Sequence, residues 1–165
     1  MIRGLLILTL VAGLVSCQVR YSFTGGQFSG ASTFSVELFR TQTALAGPVY
    51  AQRLTEGLKD QMLAQSPLTL SERQGDLQYS GTITEYRVAP AAIQGNETAS
   101  LTRLTITVKV KYTNTLEPQL SFEKSFTKFA DFPASADLFT VEEELWRSIN
   151  DQLIQEIFNN SVANW

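Results

Sequence analysis

Residues 101–112 form the clearest strand signal, alternating from Arg103 onward. Leu104, Ile106, Val108, Val110 and Tyr112 share one face, while Arg103, Thr105, Thr107, Lys109 and Lys111 share the other. Successive side chains of a strand point to opposite sides, so this segment reads as a strand with one wet face and one face under a second layer. The rest of the chain supplies that layer. Tyr50, Leu54, Leu58 and Met62 form a helical stripe over 49–65, with Ala51 and Leu63 beside it. Gly47-Pro48 opens this helix, Gly57 marks a close approach within it, and Pro67 ends it. A second stripe, Val141, Leu145, Ile149, Leu153 and Ile157, runs to Asn159-Asn160. Thr140 and Glu143 have the spacing of a capping box at its start, and Glu142 to Glu144 suit the positive end of a helix dipole.

Three further strands complete the pattern. Phe34, Val36 and Leu38 alternate with polar residues, as do Leu77, Tyr79, Gly81 and Ile83. The second alternation slips at Tyr86 and Val88, which predicts a bulge or the strand's end before Pro90. A turn at 114–118 leads into a strand over 120–129 that carries Phe122 and Phe126. The order β-α-β-β-β-α predicts an α+β two-layer sandwich, a four-stranded sheet with both helices on its apolar face. The last three strands form an antiparallel meander, and the first, reached through a helix, pairs in parallel. One domain over 33–165 accommodates all of this, with 89–100 as a loop.

The N-terminus has a different character. Met1-Ile2-Arg3 precedes an apolar run from Leu5 to Val15, too short to span a bilayer, and then Ser16-Cys17. That is the pattern of a secretory signal peptide over 1–16. Leu14-Val15-Ser16-Cys17 resembles the bacterial lipobox, which implies acylation of Cys17, the only cysteine. A diacylglycerol plus an amide-linked chain holds a protein at a membrane stably, as one chain does not. Gln18 stands where Asp directs inner-membrane retention in enteric bacteria, so outer-membrane delivery on the periplasmic side is expected. Residues 17–32, rich in Gly, Ser and Thr with Tyr21, Phe23 and Phe28 among them, read as a lipidated arm.

Composition removes several function classes. The chain has no histidine and one cysteine, so His-based triads and zinc sites, Cys-His pairs and internal disulfides are excluded. No Gly-X-Ser-X-Gly elbow or Ser-X-X-Lys motif supports a hydrolase. The expectation is a non-enzymatic protein without metal or cofactor. Net charge is −3, or 12 − 16 = −4 once Arg3 leaves with the leader, which does not suit nucleic acid.

The chain resembles LptE, the lipopolysaccharide-assembly lipoprotein of the outer membrane, in its Bacteroidetes form. The resemblance rests on the lipobox, Tyr21-Ser22-Phe23-Thr24-Gly25, Leu54-Thr55-Glu56-Gly57-Leu58-Lys59-Asp60, Gly75-Asp76-Leu77, the run Arg103 to Val108, and Ile157-Phe158-Asn159-Asn160-Ser161 with Trp165. It implies two helices on a four-stranded sheet. It also implies a plug inside the LptD β-barrel that assists barrel assembly and passes lipopolysaccharide to the cell surface. The alternative is a generic periplasmic lipoprotein that binds a protein or peptide and has no role in lipid transport.

Arg103, Lys109 and Lys111 are the candidate contacts for lipid phosphates, with Lys124 and Lys128 nearby in the meander; the plain reading of the same residues is a solvated sheet face. The loop 89–100 and the aromatic arm are candidate contact elements. Trp165 is either an interface anchor or a packed terminus. Consecutive Glu142, Glu143 and Glu144 diverge around a helix and do not converge on an ion. Cys17→Ser is expected to abolish acylation and release the protein from the membrane fraction, as read by intact mass and by fractionation.

Overall fold

The computed structural model describes residues 28, 30–91 and 100–162. In chain order its elements are β1 (Thr33–Val36), β2 (Arg40–Thr41), α1 (Pro48–Gln65), β3 (Thr69–Leu70), β4 (Leu77–Pro90), β5 (Leu101–Asn114), β6 (Phe122–Pro133) and α2 (Leu138–Val162). A 3-10 turn, Pro118–Leu120, links β5 to β6.

The α+β class, the two helices and the antiparallel β4-β5-β6 meander are as expected. So is the parallel pairing of β1 with β4 at Phe34↔Leu77. The sheet, however, has six strands in the order β3-β1-β4-β5-β6, with β2 also on β4, rather than four. Two local causes account for the difference. The expected first strand divides because the Phe39 amide leaves the ladder and donates 3.0 Å to Thr55 Oγ1 of α1. Phe39 then enters the core at 2% exposure while Leu38 turns outward at 63%. The other added strand, β3, is two residues long, below the length at which alternation shows. The register shift between Ile83 and Glu85 is the bulge foreshadowed by Tyr86, and β4 continues past it to Pro90.

Both helices start at the same end of the sheet. Arg53 reaches Glu143 and Gln61 reaches Gln155, so α1 and α2 run parallel, side by side. Tyr50, Leu54, Leu58 and Met62 of α1 and Ile149, Leu153 and Ile157 of α2 are fully buried in one core with Ile106, Val108 and Val110 of β5. Truncating one such Leu to Ala removes roughly 2–5 kcal/mol. Tyr50 and Tyr79 enter this core because their hydroxyls donate to Asn150 Oδ1 (2.6 Å) and Ser161 Oγ (2.9 Å). Burial pushes both phenols well above their ordinary pKa and keeps them neutral donors.

The helix ends refine the sequence reading. Pro48 sits in the first turn of α1, and Ser66 closes that helix by donating its amide to the Met62 carbonyl. α2 starts at Leu138, not at Thr140. Asp137 Oδ1 accepts the Phe139 amide at 2.9 Å, and the Thr140 hydroxyl turns back to the Asp137 carbonyl. The acidic run thus lies in the second turn. There Glu142 accepts from Tyr86 and Glu143 meets Arg53, two directions that agree with a diverging set.

At the far end of the domain one side chain gathers three strands. Asp76 Oδ2 accepts the Ser32 amide (2.9 Å), the Thr33 amide (3.0 Å) and the Thr33 hydroxyl (2.9 Å), while its carbonyl accepts from Thr115 of the β5–β6 turn. These donors, the Ser32 amide foremost, hold its carboxyl below the usual range. Neighbouring Gly75 has no room for a side chain: a Cβ would lie 2.6 Å from the Phe34 carbonyl carbon and 2.9 Å from the Ser35 nitrogen. At Gly57 a Cβ would meet only the tip of Ile154, at 2.7 Å. Backbone does not yield and a rotatable tip does, while an added Cβ in a helix returns about 1 kcal/mol of propensity. Gly75→Ala is therefore expected to destabilise by about 2–4 kcal/mol and Gly57→Ala by no more than about 1 kcal/mol, measured by urea unfolding.

Candidate functional site

The sheet face away from the helices is polar, and among the described residues no helix or strand covers it. Cross-strand register lines up Arg40, Thr82, Lys109 and Ser125 in one row, and Ser80, Lys111 and Glu123 in the next. A groove of about 460 Å³ runs over these rows, walled on one side by Glu37 and Leu38. Three cations and two carboxylates line it. Lys109 forms an ion pair with Glu123. That lysine, with Lys111 beside it, holds the Glu123 carboxyl below its ordinary pKa. Neither Arg40 nor Lys111 has an ion-pair partner among the described residues.

Arg103 has a different setting. Its guanidinium grips Asp131 with two bonds, 2.7 and 2.8 Å, and lies 3.6 Å above the centre of the Phe129 ring. Six residues separate it from Lys109 on one strand, roughly 20 Å. The structure thus brings Lys109 and Lys111 together and leaves Arg103 apart, already engaged. Lys124 and Lys128 are not on this face. They lie on the helix side of β6, where they meet Asn160 (2.8 Å) and Glu156 (2.9 Å) of α2. Reading them as part of one basic region overlooked the alternation of β6 itself.

Arg40 went unread in the sequence because it stands in a strand of only two residues. Its signal was the adjacent apolar pair Leu38-Phe39, which marks a slip that re-aims the residues after it. Cys17, Tyr21, Phe23, Trp165 and residues 92–99 of the expected loop lie outside the described residues. Phe28 is described and packs partly against the core. Among the described residues no helix is long and apolar enough to cross a membrane, and no three Asp, Glu or Cys side chains gather as metal ligands.

Exposed ion pairs contribute at most about 1 kcal/mol each, so this face is not what holds the fold. Its chemistry is that of a solvated, mixed-charge surface able to meet anions through Arg40 and Lys111 and polar groups through its Ser and Thr rows. A family model described as lipopolysaccharide-assembly, that of LptE, matches residues 31–161. The chain belongs to the LptE family. This membership covers the whole described domain from β1 to the last turn of α2.

Two solved structures share the fold at low identity, and a third gives a lower score. A hypothetical protein from Chlamydia trachomatis matches with a TM-score of 0.53 at 8% identity, over 81% of this chain and 99% of that one. A protein from Xanthomonas campestris gives 0.51 at 10% identity, over 78% and 84%. A minor lipoprotein from Acinetobacter baumannii gives 0.49 at 19% identity, over 77% and 89%. No curated protein matches the chain in sequence.

The Arg103 pair carries a pH signature. Arg103 holds the Asp131 carboxyl below its ordinary value of 3.8. A depressed carboxyl contributes stability that is complete above the unfolded value and is lost as pH falls through the folded one. The Tm advantage of the native protein over Asp131→Asn is therefore expected to be present at neutral pH and to shrink below about pH 4, read by thermal melts across that range.

Proposed function

We propose that this LptE-family protein is an outer-membrane lipoprotein, anchored through Cys17 on the periplasmic side, that plugs the LptD β-barrel, assists its assembly and takes part in moving lipopolysaccharide to the cell surface. The observation that carries the reading is the uncovered polar sheet face of β4, β5 and β6. The interior of a large outer-membrane barrel is polar. A plug must therefore present hydroxyls and charges where a membrane-facing surface would present hydrocarbon. Ser80, Thr82, Lys109, Lys111, Ser125 and Thr127 supply that surface, and the helices keep the apolar face to themselves.

Within this reading Lys109 and Lys111, joined by Arg40, meet the lipid's phosphates. Arg and Lys bind phosphate through charge-assisted hydrogen bonds, and among the described residues Arg40 and Lys111 have no ion-pair partner to displace. Arg103 joins them only by exchanging Asp131 for a phosphate. The role is one of binding and positioning, with no catalytic step.

The native lipidated protein, recovered from detergent-solubilised outer membranes, is expected to bring a large β-barrel with it at near-equal stoichiometry, identified by mass spectrometry. Recovery of the lipoprotein alone, or with soluble periplasmic proteins only, would assign it instead to the generic protein- or peptide-binding class. Arg40→Glu with Lys111→Glu is expected to keep the circular dichroism spectrum while lowering the lipopolysaccharide phosphate co-purified per barrel recovered several-fold.

A further inference from the structure

The two edges of the sheet are built differently. On one side it closes with β3, two residues long. On the other it ends with β6, which pairs with β5 at every residue from Tyr112↔Phe122 to Leu101↔Pro133 without a register break. No strand among the described residues lies on the far side of β6. Alternate residues of an antiparallel strand direct both N–H and C=O away from the partner, so about six residues of β6 present unpaired backbone along this edge.

Sheets blunt such edges with bulges, internal prolines, short strands or lysines that swing over them. β6 has none of these in force. Its only proline is the last residue, Pro133, and its register is unbroken. Lys124 and Lys128 are drawn back over the helix side by Asn160 and Glu156. On the outer side Glu123 and Asp131 are drawn toward β5 by Lys109 and Arg103. What remains along the middle of the edge is Ser125, Thr127 and Phe129, the last 48% exposed. Every charged side chain flanking the edge is thus turned inward, and among the described residues no strand closes the backbone off from a neighbour.

We propose that the free edge of β6 receives an extended segment of the barrel protein as a seventh strand. The inference rests on the barrel reading and deepens it by naming the element that binds. The edge is continuous with the outer sheet face assigned to the barrel interior. The wall strands of a closed barrel are paired on both sides and offer no edge. The occupant is therefore a luminal loop or terminal segment, with small or β-branched residues opposite Ser125 and Thr127 and a side chain that packs on Phe129. Backbone pairing supplies affinity in such strand addition, and the alternate side chains supply selectivity.

Amide hydrogen exchange on the full lipidated protein, alone and in the detergent-solubilised complex, tests this, together with photo-crosslinkers at Ser125 and Thr127 and a control at Thr69 on β3. The outward amides of β6 are expected to slow by at least about tenfold in the complex. Crosslinks from positions 125 and 127 are expected at residues about two apart in one luminal loop or terminal segment of the barrel protein, not in its wall strands, with none there from position 69. A complex in which β6 exchange is unchanged, or in which the crosslinks scatter or fall on wall strands, overturns the strand-addition inference while the barrel reading stands. Crosslinks to a second copy of the chain also overturn it, assigning the edge to self-association. If no barrel is recovered, the barrel reading itself fails and this inference with it.

Discussion

The structure depends on the burial of one face of the β4-β5-β6 meander under two parallel helices. β5 supplies an unbroken apolar row to that core: Leu104, Ile106, Val108, Val110 and Tyr112 are all at or near zero exposure. Fully burying such side chains is worth about 1.5–3 kcal/mol each, far more than any ion pair on the opposite face. Because both helices start at one end, each must be preceded by a chain that has travelled up the sheet. This requirement makes the β1–β4 pairing parallel. The close crossing at Gly57 lets α1 and α2 share the width of the sheet.

The polar groups inside this core are all answered. Among the described residues no buried side-chain nitrogen or oxygen lacks a partner. Tyr86 shows how: its hydroxyl donates to Glu142 Oε1 at 2.6 Å and accepts from Trp146 Nε1 at 3.0 Å, so β4 and α2 are joined by polar as well as apolar contact. Burial and the Glu142 carboxylate push this phenol well above its ordinary pKa, and it stays a donor. An aromatic chain from Tyr79 through Tyr112 and Phe122 to Phe126 ties the three meander strands together on the same side.

Periodicity made most of this legible. The stripes of α1 and α2 and the alternation of β5 are long enough to reveal themselves, and Gly47, Pro48 and Pro67 delimit α1. The two-residue strands β2 and β3 were not legible, because alternation needs several residues to register. The start of α2 was misplaced because Thr140 and Glu143 fit a capping box in sequence while Asp137, three residues earlier, takes the cap in space. At the candidate site Lys109 and Lys111 followed from alternation, whereas Arg40 depended on the slip at Leu38-Phe39 and on register with Thr82. Sequence alone also gives no view of commitment: Arg103 looks as free as Lys111 until Asp131 and Phe129 are seen beneath it.

Asp76 sits where the N-terminal arm enters the domain, and its bonds to Ser32 and Thr33 have a mechanical consequence. β1 leaves that clasp lying lengthwise between β3 and β4, parallel to both. A pull on the arm along the strand axis loads these ladders in shear, so their hydrogen bonds resist together instead of opening one after another as in a zipper. The short strand β1 can therefore bear a tug that would peel a hairpin of the same length, and the first bonds to feel it are the three that Asp76 accepts.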